Sequence, residues 1–267
     1  MGAGTVIGLH GMYLRHRLNS SSLVVLLQQW AGSEGEQVSQ QDVAEQLSLW
    51  VDAVDAIHVS RALHAIESLP AKVAPLAQAG DADTMDAVLQ AAKADVIALI
   101  TGHGAPLKPM RARVDRTPID SPDSWKRDDF AAQVQRYLGI QKYMDAKLGA
   151  VRAQMRQWLS TGARSVRQLA MLDSVMEQMF HAREQRAWAM LSGYVERRLV
   201  YRHKEHQKML QTTGRADDPQ RWRQSGGWLW AFEQDLQALL LAEMQARLQP
   251  IYGLLEAARN DKTGQQE

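Results

Sequence analysis

Cysteine is missing altogether from these 267 residues. That excludes disulfides and thiolate metal sites, and it makes a reducing compartment, the cytoplasm, the expected location. Proline is scarce: of eight, Pro70 and Pro75 form one group and Pro106 to Pro122 another, so long stretches run without a helix breaker. Aromatics make up only 6%, yet eight of them are Trp. β-Branched residues are few beside Ala, Leu, Gln, Arg and Met, a mix that favours helix over strand. Long apolar runs are missing too, the longest near the N-terminus being Leu23-Val24-Val25-Leu26-Leu27. A bilayer span needs ~20 residues, so membrane insertion is not expected, nor is a signal-peptide core. Val6 stands where a myristoylation signal has Ser or Thr. What is present, 45% hydrophobic residues, suffices for a core of one or two domains. The expected class is all-α.

Net charge is only +1, but it is unevenly spread. Residues 1–100 hold 5 basic and 11 acidic side chains, residues 101–223 hold 23 and 13, and residues 224–267 hold 3 and 6. A split of this kind marks an acidic or nucleic-acid partner, or regions of one protein that attract each other. The second reading requires no further molecule and is preferred.

Residues 1–18, with glycines at 2, 4, 8 and 11 and no period, read as a flexible N-terminus. An N-terminal helical region follows over 19–102. Its first helix is expected from the Asn19-Ser20-Ser21-Ser22 cluster, whose side-chain oxygens suit a helix start. Ser39 to Asp42 resembles a capping box, ahead of a stripe through Val43, Leu47, Trp50, Val54 and Ile57. Asp83-Thr84 is expected to open a further helix, and Gly102 to close it. Residues 103–126, with Pro106, Pro109, Pro118 and Pro122, read as a linker.

Beyond the linker, 127–260 is expected to form a long-helix antiparallel bundle or coiled-coil-like hairpin, with a tail at 261–267. Phe130, Val134, Tyr137, Gln141, Met144, Leu148, Val151, Met155 and Trp158 alternate spacings of 4 and 3 without a slip. Such a seam belongs to a helix packed lengthwise on another. Gln141 is its one polar member, and a polar seam residue sets register at some expense of stability. Ser160-Thr161-Gly162 breaks the pattern. A second long helix is expected to run to about Gln211 with a kink at Ser192-Gly193, and a third to start at Trp228 and kink at Pro250.

Chemistry is sparse. Neither a phosphate-binding Gly-x-x-x-x-Gly-Lys nor a Gly-x-Ser-x-Gly elbow nor His-Glu-x-x-His occurs. Glu177, His181 and Glu184 share a helical face, with His203 and His206 further on. Yet bundle metal sites use paired Glu-x-x-His motifs from separate helices, and the order here is reversed and single. Arg183 and Arg186 beside them suit a salt-bridged face, so no metal and no cofactor is expected. Asp52, Asp55 and His58 fall three residues apart beside the Trp50 stripe, a spacing open to acid–base work but equally that of a polar helix flank. Arg136, Lys142, Lys147, Arg152 and Arg156 scatter around their helix among carboxylates, which makes nucleic-acid binding through 101–223 an alternative and not the first choice.

Several stretches are similar to a bacterial family catalogued as domain of unknown function 3348. They are Asn19-Ser-Ser-Ser-Leu-Val, Trp50 to Leu63, Arg136 to Asp145, Leu169-Ala-Met-Leu-Asp173 and Ala242 to Leu255, collinear from about 19 to 258. The resemblance implies no assigned activity. It does imply an association with envelope complexes containing OmpA-like peptidoglycan-binding proteins and MotA/TolQ-class motor subunits, hence a cytoplasmic accessory role. His58 stands where the family pattern has Ser, which argues against a catalytic role for it. The expectation is a non-enzymatic helical interaction or scaffold protein, self-associating or binding another protein through the 130–158 seam.

Overall fold

The computed structural model describes residues 21–34, 53–70, 81–102 and 127–264. The protein is all-α: among the described residues there are six α-helices and no strand. They are α1 (Ser22–Glu34), α2 (Ala53–Glu67), α3 (Ala82–Ile100), α4 (Arg127–Leu159), α5 (Arg164–Thr213) and α6 (Trp228–Gly264). A 3-10 turn, Pro219–Arg221, precedes α6. The expected segments at 1–18 and 103–126 and the Ser39 capping box lie outside the described residues.

Several ends differ from expectation for local reasons. Helix α3 starts at Ala82, because Asp81 and not Asp83 is the cap: its Oδ1 accepts the Thr84 N–H at 2.9 Å. Gly102 closes α3 as expected, at φ 78°. Helix α5 is continuous over 50 residues and passes Ser192-Gly193 without interruption. The Ser192 hydroxyl there donates to the Ala189 carbonyl at 2.8 Å, within the helix. Helix α6 likewise continues through Pro250 and reaches Gly264, so residues 261–264, expected in the tail, are helical.

The described residues group into two compact units that cut across the long helices. The first combines the described residues up to Lys93 with Lys147–Ala187 and the chain from Ala242 onward. Its core includes Trp30, Met85, Leu89, Leu148, Met155, Leu248 and Ile251. The short helices dock on α6 by polar contacts as well. The Ser22 hydroxyl donates to Gln245 Oε1 at 3.0 Å, and Arg259 Nη2 meets Asp86 Oδ2 at 3.1 Å. Fully buried Glu243 is held by Arg247 one turn on, Nη2 to Oε1 at 2.7 Å. A charged pair removed from water is held by such close hydrogen bonds, and removing one partner costs ~3–5 kcal/mol.

Helix α2 ends against α5. The last carbonyls of a helix have no partner within it. Here Gln168 Nε2 donates to the Ile66 carbonyl at 3.0 Å and Arg164 to that of Glu67, while Arg167 donates to the Pro70 carbonyl just beyond the helix.

The second unit combines the described residues of 94–146 with Trp188–Leu241. Tyr137, Ile140, Met144, Val195, Leu199, Leu229, Phe232 and Leu239 are buried there. At its edge the 3-10 turn is tied to α5. Asp217 Oδ1 accepts the Trp222 indole N–H at 2.8 Å and lies 2.9 Å from His206 Nε2. Burial pushes the Asp217 carboxyl up, but these two hydrogen bonds, with the charge of His206 and a backbone hydrogen bond from Asp218, together hold it below its ordinary value.

Candidate interaction surface

The 130–158 seam lies inside the chain. Tyr137, Met144 and Met155 have no exposure, Val134, Gln141, Leu148 and Val151 are buried, and only Phe130 and Trp158 at the ends are half-buried. Gln141 is satisfied internally: its Nε2 donates to the Tyr137 hydroxyl at 2.9 Å and to the Trp188 carbonyl at 3.1 Å. The seam is therefore core of this chain and not a free face. An uninterrupted heptad marks a helix packed along another, and the packing helix here belongs to the same polypeptide.

The polar candidates divide. Asp52 and the side chain of Asp55 lie outside the described residues, and His58 is exposed on α2. His181 is exposed on α5, whereas Glu177 is held by arginines, Arg156 Nη2 at 2.6 Å and Arg152 Nη1 at 3.5 Å. Among the described residues no group of three or more His, Asp or Glu is placed to hold a metal ion.

Sequence reasoning missed the partner of these arginines. Asp173 binds Arg152 through both oxygens, at 2.9 and 2.6 Å, and Arg156 Nη1 at 2.9 Å. Two arginines and two carboxylates thus close a quartet of zero net charge between α4 and α5. The spacing is in the sequence but the pairing is not: Arg152 and Arg156 are four apart, as are Asp173 and Glu177, and the short turn at 160–163 sets the register that brings them together. Of the basic residues that scatter around α4, Arg152 and Arg156 are matched here across helices. Arg136 and Arg223 similarly meet Glu233, at 3.7 and 2.9 Å.

Among the described residues one long segment of α5 contributes nothing to the buried core. From Met171 to Ala187, about five turns of α5, no residue is buried. Yet this segment carries Leu172, Met176, Met179 and Arg183 at spacings of 4, 3 and 4, a heptad-like stripe. Met176 is 36% exposed, and further along the same helix Met190 is 69% exposed. Phe180 lies beside the stripe with the Arg183 guanidinium 6.0 Å from its ring.

A family model described as "Protein of unknown function (DUF3348)" matches residues 12–260. The chain belongs to this family. No curated protein and no solved structure matches it. In this DUF3348 protein three of the stretches that carry the resemblance build the interior. Arg136 to Asp145 holds buried Tyr137, Ile140, Gln141 and Met144; Leu169 to Asp173 ends on the carboxylate of the quartet; and Ala242 to Leu255 holds the Glu243–Arg247 pair. None of the helices among the described residues is long and apolar enough to cross a membrane.

Proposed function

We propose that this DUF3348 protein is a non-enzymatic helical interaction protein, and that it meets a protein partner or a second copy of itself through the methionine stripe of α5. The observation that supports this is the stretch Met171–Ala187, a long apolar-striped helix segment with nothing fully buried. Burying one Met or Leu side chain contributes ~1.5–3 kcal/mol, so the stripe has stabilisation left to gain from a partner. Methionine is suited to such a surface, since its unbranched thioether adapts to irregular neighbours. The envelope association implied by the resemblance extends this reading, with the partner a component of an envelope complex.

The test is site-specific crosslinking in the native host. A photo-crosslinker at Met176 should trap one reproducible partner, or the chain itself, and Met179→Glu should abolish the product while the protein stays folded. A crosslinker that traps nothing, together with a strict monomer by light scattering, would overturn the proposal. A steeply salt-dependent gel shift with nucleic acid would instead favour the alternative of a nucleic-acid binder using 101–223.

A further inference from the structure

Where α2 ends on α5, within the first unit, a groove of about 460 Å³ opens. Leu69, Pro70, Ala170 and Met171 give it apolar walls, and Arg156, Arg167, Ser160 and Ser174 line it with polar groups. Its volume falls in the range of ordinary ligand sites, ~300–1,000 Å³.

The two arginines differ in charge balance. Arg156 is neutralised by Asp173 and Glu177. Arg167 is only 7% exposed, and its partner is the neutral carbonyl of Pro70. The guanidinium has five N–H donors, of which this contact engages one nitrogen. Pro70 lies beyond the end of α2, and a single backbone carbonyl is a neutral dipole that offsets only part of a full cation. A buried cation with an incomplete counter-charge, at the wall of an apolar groove, is complementary to a carboxylate attached to an apolar group.

We propose that this groove binds the C-terminal end of a partner polypeptide, with its terminal carboxylate on Arg167 and an apolar last side chain against Leu69, Pro70 and Met171. The open shape of the groove admits a chain end, and the amphipathic lining matches its two features. The proposal rests on the protein being a binding protein, but it concerns another flank of α5. Ser174 and Met176 differ by about 200° around the helix, so failure of the stripe and failure of the groove are separately visible.

Titration of the 15N-labelled full chain with N-acetyl-L-leucine tests the site by nuclear magnetic resonance. The Arg167 Nε–H and Ser174 signals should move saturably. N-acetyl-L-leucinamide, which lacks the charge, should bind at least about tenfold more weakly, and a hexapeptide ending in leucine with a free carboxylate should bind at least as well as the acid. Because Arg167 also holds the end of α2, the variant of choice is Ser174→Trp. It should fill the groove, leave the unfolding midpoint unchanged and weaken the acid at least about tenfold. Equal binding of acid and amide, no saturable shift, or binding undisturbed by Ser174→Trp would each overturn the proposal. A hexapeptide that fails where the free acid binds would overturn the chain-end assignment in favour of a small organic acid.

Discussion

Arg202 of α5 and Asp235 of α6 are joined by two parallel hydrogen bonds, Nε to Oδ2 at 2.7 Å and Nη2 to Oδ1 at 3.0 Å. Arg198, one turn earlier, brings its own Nε to the same Oδ2 at 2.7 Å. One carboxylate therefore serves two guanidinium groups, and the side chain of Arg198 is only 9% exposed. The hydrogen bond to Asp235 holds the Arg202 guanidinium above its ordinary pKa. Asp235→Asn keeps the shape and removes the charge, leaving Arg198 buried beside a neutral amide. It should destabilise the protein by about 3 kcal/mol, since both guanidinium groups lose a hydrogen-bonded, partly buried counter-charge. Urea unfolding checks this, and a loss within about 0.5 kcal/mol would show that the pair is as good as solvated.

Helix and seam were legible in the sequence because both depend on short-range periodicity. The 4–3 alternation from Phe130 to Trp158 identified seven buried residues of α4, Val134 to Met155, and missed Gln133, Ile140 and Leu159 beside them. It left open which helix covers them, because an apolar seam looks alike whether its cover lies in the same chain or another. The charge split was legible only as a total. The match of Arg152 and Arg156 to Asp173 and Glu177 needs the antiparallel register set by the 160–163 turn. The groove depends on α2 ending against α5, about 100 residues along the chain, and no local pattern encodes that.

Seam and stripe make opposite predictions when truncated or charged. Met144→Ala removes a side chain with no exposure and should destabilise by about 2–5 kcal/mol, with the folded fraction keeping its partners. Met176→Glu alters a side chain that is 36% exposed. It should shift stability by less than about 1 kcal/mol while abolishing partner capture. Paired urea titrations and crosslinking separate the two. If Met144→Ala lost the partner while staying folded, the seam and not the stripe would be the interface.

Two glycines differ by what surrounds them. A Cβ at Gly227 would fall on the carbonyl oxygens of Arg221 and Trp222 and 2.7 Å from the Trp222 carbonyl carbon, all backbone atoms of the turn before α6. Gly227→Ala should therefore displace that turn and destabilise by about 1–3 kcal/mol. At Gly149, inside α4, a Cβ meets nothing within 4 Å. Gly149→Ala should stabilise by about 0.5–1 kcal/mol through the lower entropy of the unfolded chain. Thermal unfolding reads both signs in one experiment, and Trp222 reports the turn through near-ultraviolet circular dichroism.

His203 gives the second unit a pH dependence of predictable direction. Its ring packs between Phe130 and Trp228, at centroid distances of 5.8 and 5.2 Å. Burial, and then the charge of His206, lower its pKa from the ordinary 6.5, while Asp217 opposes them. The unfolded chain thus takes up this proton more readily than the folded one. Stability from this group is fully present above about pH 6.5 and is lost as pH falls from there through the depressed folded value. His203→Phe keeps the aromatic contacts without the titration. Urea midpoints at pH 7.5 and 5.5 should accordingly differ less in the variant than in the parent. Equal differences would show that the proton enters elsewhere. The Asp217 carboxyl, held below its ordinary 3.8, adds a separate loss that begins only at more acidic pH and that His203→Phe should leave in place.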